Sequence, residues 1–455
     1  MEDDNNYGIN LNNNHLSIID ESPELTTLIA ATKMENCNQS VLSNKILSKL
    51  SRGYTIYTVI KVISYSINET SFILPYCLRK LGIIPFILFL IILPLSSVYF
   101  FYLIIDIVLK LSLFDNYHEI IQEKTNKYYN IFYYLLNIIY HVLIITFEIY
   151  LYLSLCLRII SFFGFNINNI FYEKILILYL SLILIELPFS FINHFQKPDL
   201  LYIIITFFIV ILNFIALFFI LINHKTDFIN LIKVNAFESI SKDYFTAFSI
   251  IMTVIGWQNQ ISKQLNNFKI KTPKRFYKVV YLFFIIELIL ILFICFVSTP
   301  LISDRGDLII FFLDYKNSNI DNILIIQVLS IIFGIIIHII IGHHMQLIKE
   351  NVVLIIKLSL YKKAEDDFKL PILFSLFFNL CILFLSNTIC LFTEDITLII
   401  LLYGGILTPL LNYLIPTFLY CFKVSINSII VWVACLITFI IISLGLVGFI
   451  FKIFI

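Results

Sequence analysis

After a polar, Asn-rich stretch through residue 52, the chain alternates long apolar runs with short polar connections. The runs 83–105, 200–222 and 428–451 contain no charged residue. An α-helix rises about 1.5 Å per residue, so about 20 apolar residues cross the hydrocarbon core. Lipid cannot satisfy exposed backbone N–H and C=O groups, so such runs must be helices or strands of a closed barrel. Barrel strands alternate polar and apolar residues; these runs do not. The pattern predicts an all-α polytopic membrane protein with about eleven transmembrane helices. They fall at 54–79, 83–111, 129–160, 171–190, 199–223, 244–265, 277–300, 321–347, 370–391, 395–420 and 426–452.

Composition and charge refine this picture. Hydrophobic residues form 60% of the chain and mean hydropathy is +0.94, above the roughly half-apolar content of soluble domains. The expected division is a disordered cytoplasmic tail at 1–52 and a transmembrane domain at 53–455. A formal net charge of +1 gives no electrostatic case for nucleic acid. With the N-terminus in the cytoplasm, 20 of the 31 Lys and Arg residues fall on the inner side and 10 on the outer, with Lys61 inside the first span. That bias orients the chain N-in and C-out. The connections near 112–128, 224–243 and 348–369 are too short for a catalytic domain, and phosphate-loop, GxSxG and HExxH motifs are absent. The cysteines lack zinc-type spacing. No enzyme activity, cofactor or metal is expected.

Polar residues inside a span carry the functional signal. The centre of the first span, Ser66-Ile67-Asn68-Glu69-Thr70-Ser71, has one apolar side chain in six and is followed by Pro75. An unpaired ionised Glu69 at mid-bilayer costs several kcal/mol, and Pro75 cannot donate to the preceding turn. A helix broken here, with its freed backbone groups lining a cavity, accommodates both. The alternative is a continuous helix whose Asn and Thr side chains join its neighbours.

The stretch 68–82, NETSFILPYCLRKLG, resembles the first-helix signature of the amino acid/auxin permease family, within the amino acid-polyamine-organocation superfamily. Pro75, Tyr76 and Gly82 fit it, Phe72 stands at a usual Leu, and Asn68 and Thr70 replace family glycines. In the sixth span Gly256 fits the helix break, Trp257 takes a usual His position, and Pro273, Lys274 and Arg275 fit the cytoplasmic turn. Residues 402–420 resemble the tenth helix through Gly404, Gly405 and Pro416. The resemblance covers roughly residues 50–452. It implies a five-plus-five inverted repeat with discontinuous helices 1 and 6, and secondary amino-acid transport by alternating access. It implies that Ser66, Asn68, Glu69, Thr70, Ser71, Gly256, Trp257 and Gln258 line the substrate site. A half-helix N-terminus would take the carboxylate, and Glu69 or free carbonyls the ammonium. Trp257 is either an aromatic gate or ordinary packing.

Other buried charges complete the reading. Glu148 on the third span is either a second proton-coupling site beside Glu69 or a structural partner, and Glu287 is read as structural. Glu186 is expected to reach interfacial water. His343 and His344 are expected at a solvated helix end, and the spacing of His338 from both disfavours a metal site. Residues 331–348 offer neither Ser nor Thr for sodium, so the expected coupling ion is the proton, carried by a buried carboxyl group. The alternatives are a non-transporting amino-acid sensor on the same fold and an uncoupled facilitator of another small organic solute. The expected partners are an amino acid, protons and membrane lipid, in the plasma membrane or an internal vacuolar or lysosome-like membrane.

Overall fold

A computed structural model describes residues 55–66, 71, 73–110, 121, 125–162, 170–190, parts of 203–214, 235–238, 243–256, 273–298, 323–360, 371–393, 396–423 and 429–454. Nearly all of these residues are helical and none forms a strand. The elements are α1 (Thr55–Ser66), α2 (Leu74–Leu81), α3 (Ile83–Lys110), α4 (Lys127–Phe162) and α5 (Ile170–Ser181). They continue with α6 (Asp243–Ile255), α7 (Pro273–Ser298), α8 (Ile323–Leu360), α9 (Ile372–Phe392), α10 (Ile396–Phe422) and α11 (Ile429–Phe454). Among the described residues, α3, α4 and α7 to α11 are the seven helices long and apolar enough to cross a bilayer.

The distribution of side chains is inverted relative to a soluble protein. Ile84, Leu88, Ile91, Ile92 and Leu95 of α3 face outward, as do Leu373, Phe377 and Phe384 of α9 and Trp432, Leu436 and Phe439 of α11. Glu148, Glu186, Glu287, His338, Asn379 and Asn387 are each at most 1% exposed. Burying carboxylates while exposing Ile and Phe is unfavourable in water and favourable in lipid. The chain is a multi-pass integral membrane protein.

The described helices refine the expected boundaries. In the first apolar run, where the polar centre predicted a break, α1 ends at Ser66, Ser71 and Ile73 lie in 3-10 turns, and α2 starts at Leu74 with Pro75 in its first turn, where a missing N–H costs nothing. In the sixth run α6 ends at Ile255, and residues 257–265 lie outside the described residues. The fourth passes from α5 into a π-helical turn, Leu182–Glu186, just before Pro188. The fifth lies largely outside the described residues, as does the tail 1–52. The eighth runs beyond 347 to Leu360, so much of the expected connection 348–369 is helix. At 1.5 Å per residue its 38 residues extend about 57 Å, well past the hydrocarbon core.

One turn ties the α2 end of the bundle together. Gly82 has φ of 82°, and a Cβ there would stand 2.9 Å from the Asn235 carbonyl oxygen. Only glycine adopts this left-handed conformation without strain. The turn lets Ile83 and Ile84 donate their N–H groups to Asn235 and Ala236, at 3.0 and 3.1 Å. Residues 80–84, 235–238 and Asp243 thus share one face, where Lys80 pairs with Asp243 at 3.2 Å.

Candidate functional site

α2 and α6 run antiparallel in a fixed register. Tyr244 Oη donates to the Leu81 carbonyl at 3.1 Å, and Cys77 Sγ reaches the Ala247 carbonyl at 3.8 Å. Continuing that register by one turn sets the start of α2, at Leu74, beside the last two turns of α6. The partly positive N-terminus of α2 therefore lies beside residues near Ile250, about one helical turn from the partly negative C-terminus of α6. No side chain caps the start of α2. Ser71, fully buried just before it, has a hydroxyl with no hydrogen-bond partner. Of the expected substrate residues, Ser71 and Gly256 are thus placed at these helix ends. Ser66 closes α1, but its side chain lies outside the described residues, as do Asn68, Glu69, Thr70, Trp257 and Gln258.

The α6 end is held by α10. Asn412 Nδ2 donates to the Gly256 carbonyl at 3.2 Å. A Cβ on Gly256 would sit 2.5 Å from Thr408 Cγ2, so the two helices meet with no space for a side chain. α10 contains two π-helical turns, Leu401–Leu407 and Leu410–Leu414. Such turns accommodate an extra residue and recur at functional sites. They aim Asn412 at Gly256 and Tyr413 at Ser97, 2.7 Å away on α3. Gly404 and Gly405 meet Ser249 of α6, and a Cβ on Gly445 of α11 would collide with the Gly405 carbonyl. Small residues at such crossings permit close backbone approach.

α4 and α8 form the most extensive helix pair among the described residues, and their seam is polar. Glu148, 0% exposed on α4, lies with Oε1 3.4 Å from Nε2 of His344 on α8. The other nitrogen of His344, Nδ1, is 3.0 Å from Nδ1 of His141 on α4. The expectation of a solvated His344 is therefore wrong: it is 6% exposed, because α8 continues past it and packs it onto α4. His338 packs on the Tyr152 ring, 4.2 Å between centroids, and its two ring nitrogens are buried without a hydrogen-bond partner.

Compared with protein-family models and with curated proteins, the sequence matches none.

Glu186 corrects a second expectation. It is buried, not interfacial, because the π turn before Pro188 directs it at α9. Ser181 Oγ donates to its Oε1 at 3.0 Å and Asn387 Nδ2 to its Oε2 at 2.8 Å. One turn on, Ser190 Oγ accepts from Asn379 Nδ2 at 2.7 Å, and the Ser190 carbonyl accepts from Lys349 at 3.4 Å. These bonds join α5, α8 and α9 as a structural frame beside the seam.

Proposed function

We propose that this chain is a secondary transporter of amino acids, built as the five-plus-five inverted repeat of the amino acid/auxin permease type with discontinuous first and sixth spans. The observation that carries the reading is the pair of opposed helix ends, the start of α2 and the end of α6, about one turn apart along an antiparallel pair and lined by buried residues. A zwitterion matches them: its carboxylate suits the N–H groups of α2, and its ammonium suits the carbonyl end of α6. Ser71 supplies a buried hydroxyl beside the carboxylate position. Ser66, Asn68, Glu69, Thr70, Gly256, Trp257 and Gln258 complete the proposed site, and protons couple through Glu69 and Glu148. Alternating access then acts on the interrupted spans.

The test is competition with analogues in proteoliposomes. Uptake of a radiolabelled amino acid should be blocked by free amino acids. The matching methyl esters, which lack the carboxylate, and the deaminated acids, which lack the ammonium, should not block it. Equal competition by either analogue would remove the zwitterion from the site.

A further inference from the structure

The seam between α4 and α8 carries a polar column that the substrate site does not use. On α4, Asn130, Asn137, His141 and Glu148 are 2%, 7%, 7% and 0% exposed. Their spacings of seven, four and seven residues keep them on one helix face. At 1.5 Å per residue they extend about 27 Å, close to the thickness of the hydrocarbon core. At the Lys127 end, which the basic residues assign to the cytoplasm, Asn130 Oδ1 accepts from Thr125 Oγ1 at 2.6 Å. α8 adds His344 and, one heptad on, Asn351, 9% exposed.

We propose that Glu148, His344 and His141 form a proton-transfer chain linking the transport cavity to the cytoplasmic side. This rests on the transporter reading above and assigns its coupling route. Protonated Glu148 gives its proton to Nε2 of His344, across a gap just beyond hydrogen-bond reach. His344 releases the proton on its Nδ1 to Nδ1 of His141, 3.0 Å away. His141, now cationic, loses its Nε2 proton to water reaching it from the cytoplasmic side, along the helix face that carries Asn137 and Asn130. One proton enters at Glu148 and one leaves at His141, and tautomer exchange of the two rings resets the chain. The rings meet at hydrogen-bond distance, whereas two nitrogens on one tetrahedral zinc, each at about 2.0–2.1 Å, stand about 3.4 Å apart. The contact is thus one for a shared proton.

Other ionisable and aromatic groups border this chain. Tyr140 packs edge-on against His141, with ring centroids 5.3 Å apart, and Tyr403 of α10 packs on Tyr140 and Phe147. His343 is 5.9 Å from His344, centroid to centroid. Glu186 and Lys349 are engaged with Ser181, Asn387 and Ser190. Toward the opposite face, the column continues through Tyr152 and the buried His338.

Two measurements test the chain, the first without substrate. Infrared difference spectra of the protein in liposomes, stepped through about pH 5–8 where histidine titrates, should show a protonated-carboxyl band. It should be absent in Glu148→Gln and displaced along the pH axis in His344→Gln. A band unchanged in both variants overturns the chain, whatever the protein transports. The second compares pH-driven accumulation of radiolabelled amino acid with counterflow, which needs no net proton movement. In His344→Gln and His141→Gln, accumulation should fall at least about tenfold, a modest share of what a positioned proton-transfer group contributes, and counterflow should fall less. Equal loss of both activities makes the histidines structural and overturns the chain. Absence of counterflow in the wild type instead sinks the transporter reading, and the infrared arm still decides the proton site.

Discussion

Gly256 has no room for a side chain. A methyl group there meets Thr408 Cγ2 at 2.5 Å and the Met252 carbonyl at 3.1 Å. Overpacking of this kind costs about 1–3 kcal/mol, or about fivefold to 150-fold in uptake where the strain falls on the site. Gly256→Ala should therefore impair uptake, and adding Thr408→Ser should restore most of it. Serine removes Cγ2 but keeps the hydroxyl that donates to the Tyr403 carbonyl at 2.8 Å. Uptake kinetics of the single and double variants check this; equal impairment of both would show that the Thr408 contact does not decide the role of Gly256. The sequence marked this glycine, and it held the polar stripe of α4 as well, in the spacing of Asn130, Asn137, His141 and Glu148. It could not show that His344 meets that stripe, because the contact joins residues 203 apart and depends on how α8 lies on α4. The burial of Glu186 was hidden for a similar reason: its partner Asn387 lies 201 residues away.

At the scale of the helix, the apolar runs revealed where the chain crosses the bilayer but not where each helix stops. Hydropathy continues through Gly256 although the helix does not, and α8 outlasts its apolar run because Lys349, Glu350 and Lys357 are good helix formers. The π turns of α10 were equally invisible, since one extra residue barely disturbs a helical pattern. Their consequence is testable. Deleting Leu402 should convert the first π turn to α-helix and rotate the rest of α10 by about 100°. Asn412 would then miss the Gly256 carbonyl and Tyr413 would miss Ser97. Each buried polar group left without a partner costs about 1–3 kcal/mol. The deletion should lower the unfolding temperature in detergent and abolish uptake. A deletion variant as stable and active as the parent would show that the π turns position nothing.

The described residues combine a lipid-facing apolar surface, a polar seam between α4 and α8, and an antiparallel α2–α6 pair with buried helix ends. A membrane protein needs the first; a transporter has a use for the other two. A sensor on the same architecture would bind an amino acid equally well, so binding alone does not separate the readings. Counterflow does. Purified protein is placed in liposomes loaded with an unlabelled amino acid, and a trace of the same amino acid, radiolabelled, is added outside. The account predicts that label accumulates transiently above its equilibrium level, then decays as the unlabelled pool runs down. Saturable binding of the amino acid without any such overshoot would contradict it.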